Sequence, residues 1–122
     1  MAVAAPTGPA STIPGCADLH RDLPQKLPQG LSRRATRPAS PLTTAWGKPP
    51  IVLRCGVPPG KDTDDLFTFN QVQWAMHDIG AARRWTTRGL RVDVEVVVPD
   101  AYSSQAELLG SLSRVLLDDL GR

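Results

Sequence analysis

The chain has 122 residues, enough for one small domain with a single core and too few for two. Fourteen basic against twelve acidic residues leave a net charge of +2, too weak a field to argue for nucleic acid or a membrane surface. No stretch reaches the roughly 18 consecutive apolar residues that a membrane-spanning helix needs, and no basic leader precedes an apolar run at the start.

Met1 to Pro14 holds three prolines among small, uncharged residues, the composition of a disordered lead or spacer. The domain is expected to fill residues 15–122. Cys16, Leu19, Leu23 and Leu27 recur at helical spacing and predict a short helix from about Cys16 to Leu23 or Leu27, with Pro24 ending or kinking it. Gln29 and Gly30 suit a turn, and Leu31 to Arg37 reads as an edge strand. Pro38 and Pro41 then favour an extended connection to Trp46.

Ile51 to Val57 is bounded by Pro49-Pro50 and Pro58-Pro59 and reads as a central strand with sharply marked ends. Two-residue alternation puts Ile51, Leu53, Cys55 and Val57 on one side and Val52 and Arg54 on the other. Gly60 to Asp65, with Asp62, Asp64 and Asp65, reads as a solvated acidic turn; it lacks the further oxygen ligands and late glutamate of a calcium loop. Phe67 to Ile79 is extended, with Val72, Trp74 and Met76 opposite Gln71, Gln73 and His77. Gly80-Ala81 and Arg88-Gly89 turn the chain into Arg83–Arg88 and then Arg91–Val98, where Val92, Val94, Val96 and Val98 face in and Arg91, Asp93 and Glu95 face out. A three-strand antiparallel meander follows.

Pro99 ends the sheet. Ser104 as N-cap with Glu107 three residues later predicts a capping box, and Leu108, Leu109, Leu112, Leu116 and Leu120 form one apolar stripe. From Ser104 to Leu120 the helix spans about 25 Å, long enough to cover a small sheet. The expected fold is α+β: an antiparallel sheet of four to five strands with an N-terminal and a C-terminal helix packed on one face, a two-layer sandwich.

Two cysteines permit one intramolecular pairing, Cys16 with Cys55. They would be buried thiols in a reducing compartment and a bridge in an oxidising one. If the first helix packs on the face where Cys55 points, the bridge closes a loop of about 40 residues, worth about 4 kcal/mol in the chain-entropy picture. Zinc spacing is absent, and His20 and His77 are the only other soft ligands, so no metal and no cofactor are expected.

Candidates for catalysis are thin. His77 and Asp78 are adjacent in a strand and point to opposite faces, so they make no dyad. Asp93 and Glu95 share a face about 7 Å apart, flanked by arginines, and read as ion pairs. No nucleophile elbow, phosphate-binding glycine loop or His-Glu-x-x-His helix occurs. Arg33, Arg34 and Arg37, and then Arg83, Arg84, Arg88 and Arg91, form two basic clusters. They read as solvated positive faces, because only Trp85 is interleaved for base stacking. Arg33-Arg34-Ala35-Thr36 has the form of a basophilic kinase site, a pattern too short to carry an argument.

Ala45-Trp46-Gly47 followed by Pro50-Ile51-Val52-Leu53-Arg54-Cys55-Gly56-Val57 resembles an actinobacterial family of secreted or membrane-anchored proteins known as domain of unknown function 3515. The resemblance extends to Cys16, Ala17 and Leu19, to Val72 and Trp74, to Trp85-Thr86-Thr87, to Val94 through Pro99 and to the leucine helix. It implies an extracytoplasmic domain behind an N-terminal membrane anchor absent from these residues, with Cys16 and Cys55 bridged. It brings no established activity and no catalytic residue. The expectation is therefore a non-enzymatic envelope domain that binds another envelope protein, with Arg54, Arg84, Arg88 and Trp46 as contact residues. The alternative is a small-ligand binder or enzyme of cell-wall metabolism, using a pocket between helix and sheet where His77 or the arginines meet an anionic group.

Overall fold

The computed structural model describes residues 15–37, 39–61 and 63–121; the expected N-terminal spacer and Asp62 lie outside them. In chain order the elements are α1 (Cys16–Asp22), β1 (Lys26–Leu27), a 3-10 turn (Pro28–Gly30), β2 (Leu31–Arg34), β3 (Thr43–Trp46), β4 (Ile51–Val57), β5 (Asp65–Phe69), β6 (Val72–Asp78), β7 (Ala82–Arg88), β8 (Asp93–Pro99) and α2 (Gln105–Leu120). The strands form one sheet in the order β1-β2-β3-β4-β8-β7-β6-β5. Every pairing is antiparallel. The sheet is thus two meanders joined where β4 meets β8, and β4 lies near its middle.

The α+β class and the antiparallel sheet with two helices hold, but among the described residues the sheet has eight strands rather than four to five. Three short strands account for the difference. β1 has two residues, too few for any periodicity. β3 is buried at all four positions, so it shows no alternation. β5 was hidden in the run from Phe67 to Ile79, which Asn70 and Gln71 break with φ of 46° and 71°. Positive φ at both central residues is what a type I′ hairpin requires and what Asn-Gly normally signals; glutamine in the second place conceals it.

Local chemistry explains the other boundaries. α1 stops because Leu23 precedes Pro24 and is extended, with ψ of 141°, as the proline ring demands of its predecessor. Ser104 is the N-cap of α2 but is left-handed, with φ of 55°, and its hydroxyl makes no cap bond. The expected capping box is absent because a cap side chain reaches the first turn from extended backbone. Gln105 ties this end down instead: its amide nitrogen donates to the carbonyls of Pro99 and Tyr102 at 3.4 Å, and its Oε1 accepts from Trp85 Nε1 at 2.9 Å.

Alternation in β4 buries Ile51, Leu53 and Cys55. It breaks at Gly56, where φ is 88° and the register shifts so that Val57 pairs with Asp93. The bulge turns Val57 away from the face of Cys55, against the simple alternation. On the inner face Val94, Val96 and Val98 of β8 join Trp46, Trp74 and the leucines of α2 in one cluster with Cys16 and Leu19 of α1. The buried indoles are satisfied: Trp74 Nε1 donates to Ser113 Oγ at 3.0 Å, and Ser113 in turn donates to the Leu109 carbonyl. An unpaired buried N–H would cost about 1–3 kcal/mol.

Candidate functional site

Three places carry the exposed polar or apolar groups worth testing. The first is the corner between α1, β2 and β3. Cys16 is disulfide-bonded to Cys55, with Cα atoms 5.8 Å apart, which pins α1 to the inner face of β4. Arg33 lies beside the end of α1 and donates to the carbonyls of Leu23 at 3.1 Å and His20 at 2.8 Å. His20 Nδ1 lies 3.0 Å from Thr44 Oγ1. Burial, and after it the Arg33 charge, lowers the His20 pKa from its ordinary 6.5, which favours the neutral imidazole. A cavity of about 320 Å³ opens beside these groups, lined also by Arg34, Thr36, Ser40 and Thr43. The arrangement is a clamp rather than a catalytic pair: Arg33 gives donors to main-chain carbonyls, Thr44 is buried, and the imidazole is flanked by a cation where activation of a hydroxyl needs a group that stabilises imidazolium.

The second is the outer face of the sheet. The register runs Arg54, Glu95 and Thr86 across β4, β8 and β7, and Arg84 and Arg88 share that side of β7 by alternation. All three arginines are half-buried. The face is not open, because the connection from Val57 to Lys61 crosses it. Gly60 N donates to the Thr87 carbonyl at 3.0 Å, and a Cβ on Gly60 would stand 2.6 Å from Ala75 Cβ and 2.8 Å from the Thr86 carbonyl. On the same face the exposed His77 Nδ1 lies 3.5 Å from a carboxylate oxygen of Asp64, a neighbour that adjacency in sequence did not suggest.

Other predicted residues land elsewhere. Trp46 is fully buried, with its Nε1 donating to the Pro24 carbonyl at 2.9 Å; it is a core residue and presents no contact surface, because it pairs with Ile51 on the core-facing side of the sheet. Trp85 is likewise buried among Phe67, Phe69 and Gln105. The Asp93 carboxylate accepts from the Thr87 hydroxyl at 2.9 Å and from Leu90 N at 3.3 Å, closing the β7–β8 hairpin.

The third place, β5, carried no signal of function in the sequence. It is the last strand of the sheet, and among the described residues no strand pairs with its outer edge. Leu66 and Phe67 point to opposite faces and are 42% and 40% exposed. Phe67 stacks on Phe69 at 6.0 Å and meets Trp85 edge-on at 5.4 Å, so its ring is held in place. A groove of about 500 Å³ runs between the end of β5 and α2, with Phe69, Gly110, Glu107 and Arg114 among its walls. Apolar residues on both faces of a five-residue strand defeat a reading by alternation.

Among the described residues no group of three or more His, Cys, Asp or Glu side chains could hold a metal ion, and no helix is long and apolar enough to cross a membrane. Compared with known proteins, the chain matches over residues 1–120 the family described as "Protein of unknown function (DUF3515)". No curated protein and no solved structure matches it. The match spans nearly the whole chain, the disulfide included, and the protein belongs to the DUF3515 family.

Proposed function

We propose that this domain works outside the cytoplasm as a non-enzymatic protein-binding domain that makes its contact at the open edge of β5. The observation that carries the reading is a strand whose outer edge has no partner among the described residues and which presents Leu66 and Phe67 to solvent. Free main-chain donors and acceptors supply affinity to an added strand, and side chains on alternate faces supply selectivity. The disulfide supports the location, since such bridges persist in non-reducing, extracellular surroundings. Of the arginines first considered, Arg84 and Arg88 stand two strands from β5, about 10 Å, while Arg54 is four strands away, about 19 Å. Arg84 and Arg88 then form a basic rim and Arg54 falls outside the contact. A ligand pocket between α2 and the sheet has little to support it, because that space holds Trp74, Leu108, Leu109, Leu112 and Leu116, all fully buried.

The test is capture from envelope extracts with three baits: the native chain, Phe67→Lys and Arg54→Glu. Partners retained by the native and Arg54→Glu baits and lost by Phe67→Lys support the contact. A partner set that ignores Phe67→Lys sinks it.

A further inference from the structure

We infer that the partner taken up by the edge of β5 is a second copy of this chain, paired antiparallel through β5 about a two-fold axis, so that two eight-stranded sheets become one; this rests on the protein-binding reading above. Among the described residues the strand is unguarded. Natural edge strands are protected by lysine, proline, bulges or covering segments, and Asp65–Phe69 carries one charge, Asp65, at its end.

The side-chain pattern is self-complementary. A two-fold pairing centred on Phe67 sets Phe67 against its own copy, Leu66 against Thr68, and Asp65 against Phe69. Pairing of Phe67 with Trp74 and Leu66 with Ala75 in β6 fixes Phe67 on the helix face and Leu66 on the outer face. Both exposed apolar side chains are therefore covered by one contact, one on each face of the joined sheet. The two Asp65 residues fall at opposite ends, about 14 Å apart along the strands, so the like charges do not collide.

Charge selects this register over a parallel or slipped one. Asp65 pairs with Met76 in β6 and shares the helix face with Phe67 and Phe69. In the antiparallel pair the incoming Asp65 stands opposite Phe69, which lines the same groove as Arg114. The other charge lining that groove, Glu107, lies two helical turns earlier, about 10 Å along the axis, so a carboxylate that meets the Arg114 guanidinium stays clear of it. Symmetry makes this contact twice. A one-residue slip would move Leu66 and Phe67 off their partners and Asp65 off the groove.

The experiment is sedimentation equilibrium on the full oxidised chain over a concentration series from about 1 µM to 1 mM, with Phe67→Lys, Asp65→Arg, Arg114→Glu and the Asp65→Arg/Arg114→Glu double exchange, each checked for native tryptophan fluorescence. The expected result is a monomer–dimer equilibrium that Phe67→Lys abolishes. Each single charge reversal should weaken it about five- to tenfold, since two surface ion pairs are lost, and the double exchange should restore it. A native chain that stays monomeric across the series overturns the inference; if it still captures an envelope protein through Phe67, protein binding at β5 stands with a different partner, and if it captures none, that reading falls too. A dimer indifferent to Phe67→Lys uses another surface and also overturns the proposal. A dimer that needs Phe67 but is unmoved by the charge exchange rules out this antiparallel register.

Discussion

Cys55 and Arg54 are neighbours in β4 that face opposite ways, one bonded to Cys16 and the other on the outer face. The bridge closes a loop with a sequence separation of 39, so replacing both cysteines by alanine should lower unfolding stability by about 4 kcal/mol, read from urea midpoints. A thiol titration of the unfolded, unreduced chain should find no free thiol. His20 gives a second residue-scale test. Its folded-state pKa lies below the ordinary 6.5 because of burial and Arg33, so the unfolded chain takes up a proton that the folded chain resists as the pH falls through that value. This contribution to stability is present above about pH 6.5 and declines below it. His20→Gln should remove part of the loss of stability between about pH 7.5 and about pH 5.5; equal slopes in the two proteins would refute the assignment. The inward direction of Cys55 was legible from strand alternation, whereas the clamp on His20 was not, because Arg33 and Thr44 meet it only after β2 and β3 fold beside α1.

At the scale of elements, two connections do the most to shape the surface. The β5–β6 turn holds Gln71 at φ of 71°, a conformation that favours glycine over other residues. Gln71→Gly should therefore stabilise the fold by about 0.5–1 kcal/mol in thermal unfolding, while Asn70 Nδ2 keeps its 2.7 Å bond to the Gly110 carbonyl. The strap over the outer face depends on close approach at Gly60. Gly60→Ala drives a methyl group into Ala75 and the Thr86 carbonyl and should cost about 1–3 kcal/mol, measured the same way. The leucine helix, the proline-framed β4 and the valine strand β8 were readable because each carries a long period of its own. β3 and β5 were not: one is buried on both faces and the other is exposed on both, and neither pattern alternates.

At the scale of the molecule, the two meanders meet in the sheet, among the described residues, along β4 and β8. The cores of both meanders converge there, and the inward-facing join residues Leu53, Cys55, Val94 and Val96 are buried in one cluster with Cys16 and Leu19 of α1 and the leucines of α2. Amide hydrogen exchange should be slowest at Leu53, Val94 and Val96 and fastest along β1 and β5, since edge strands open without disturbing the join; equal protection at β5 and β8 in dilute monomer would contradict this. The sequence by itself determined the α+β class, the helices, the inward face of β4 as far as Cys55 and the family, because periodicity, proline placement and a long motif are written locally. Only the tertiary structure decided that Trp46 is core, that a strap crosses the basic face and that β5 is left at the open edge. Those outcomes depend on strand order, and strand order is set by which buried faces fit together across the chain.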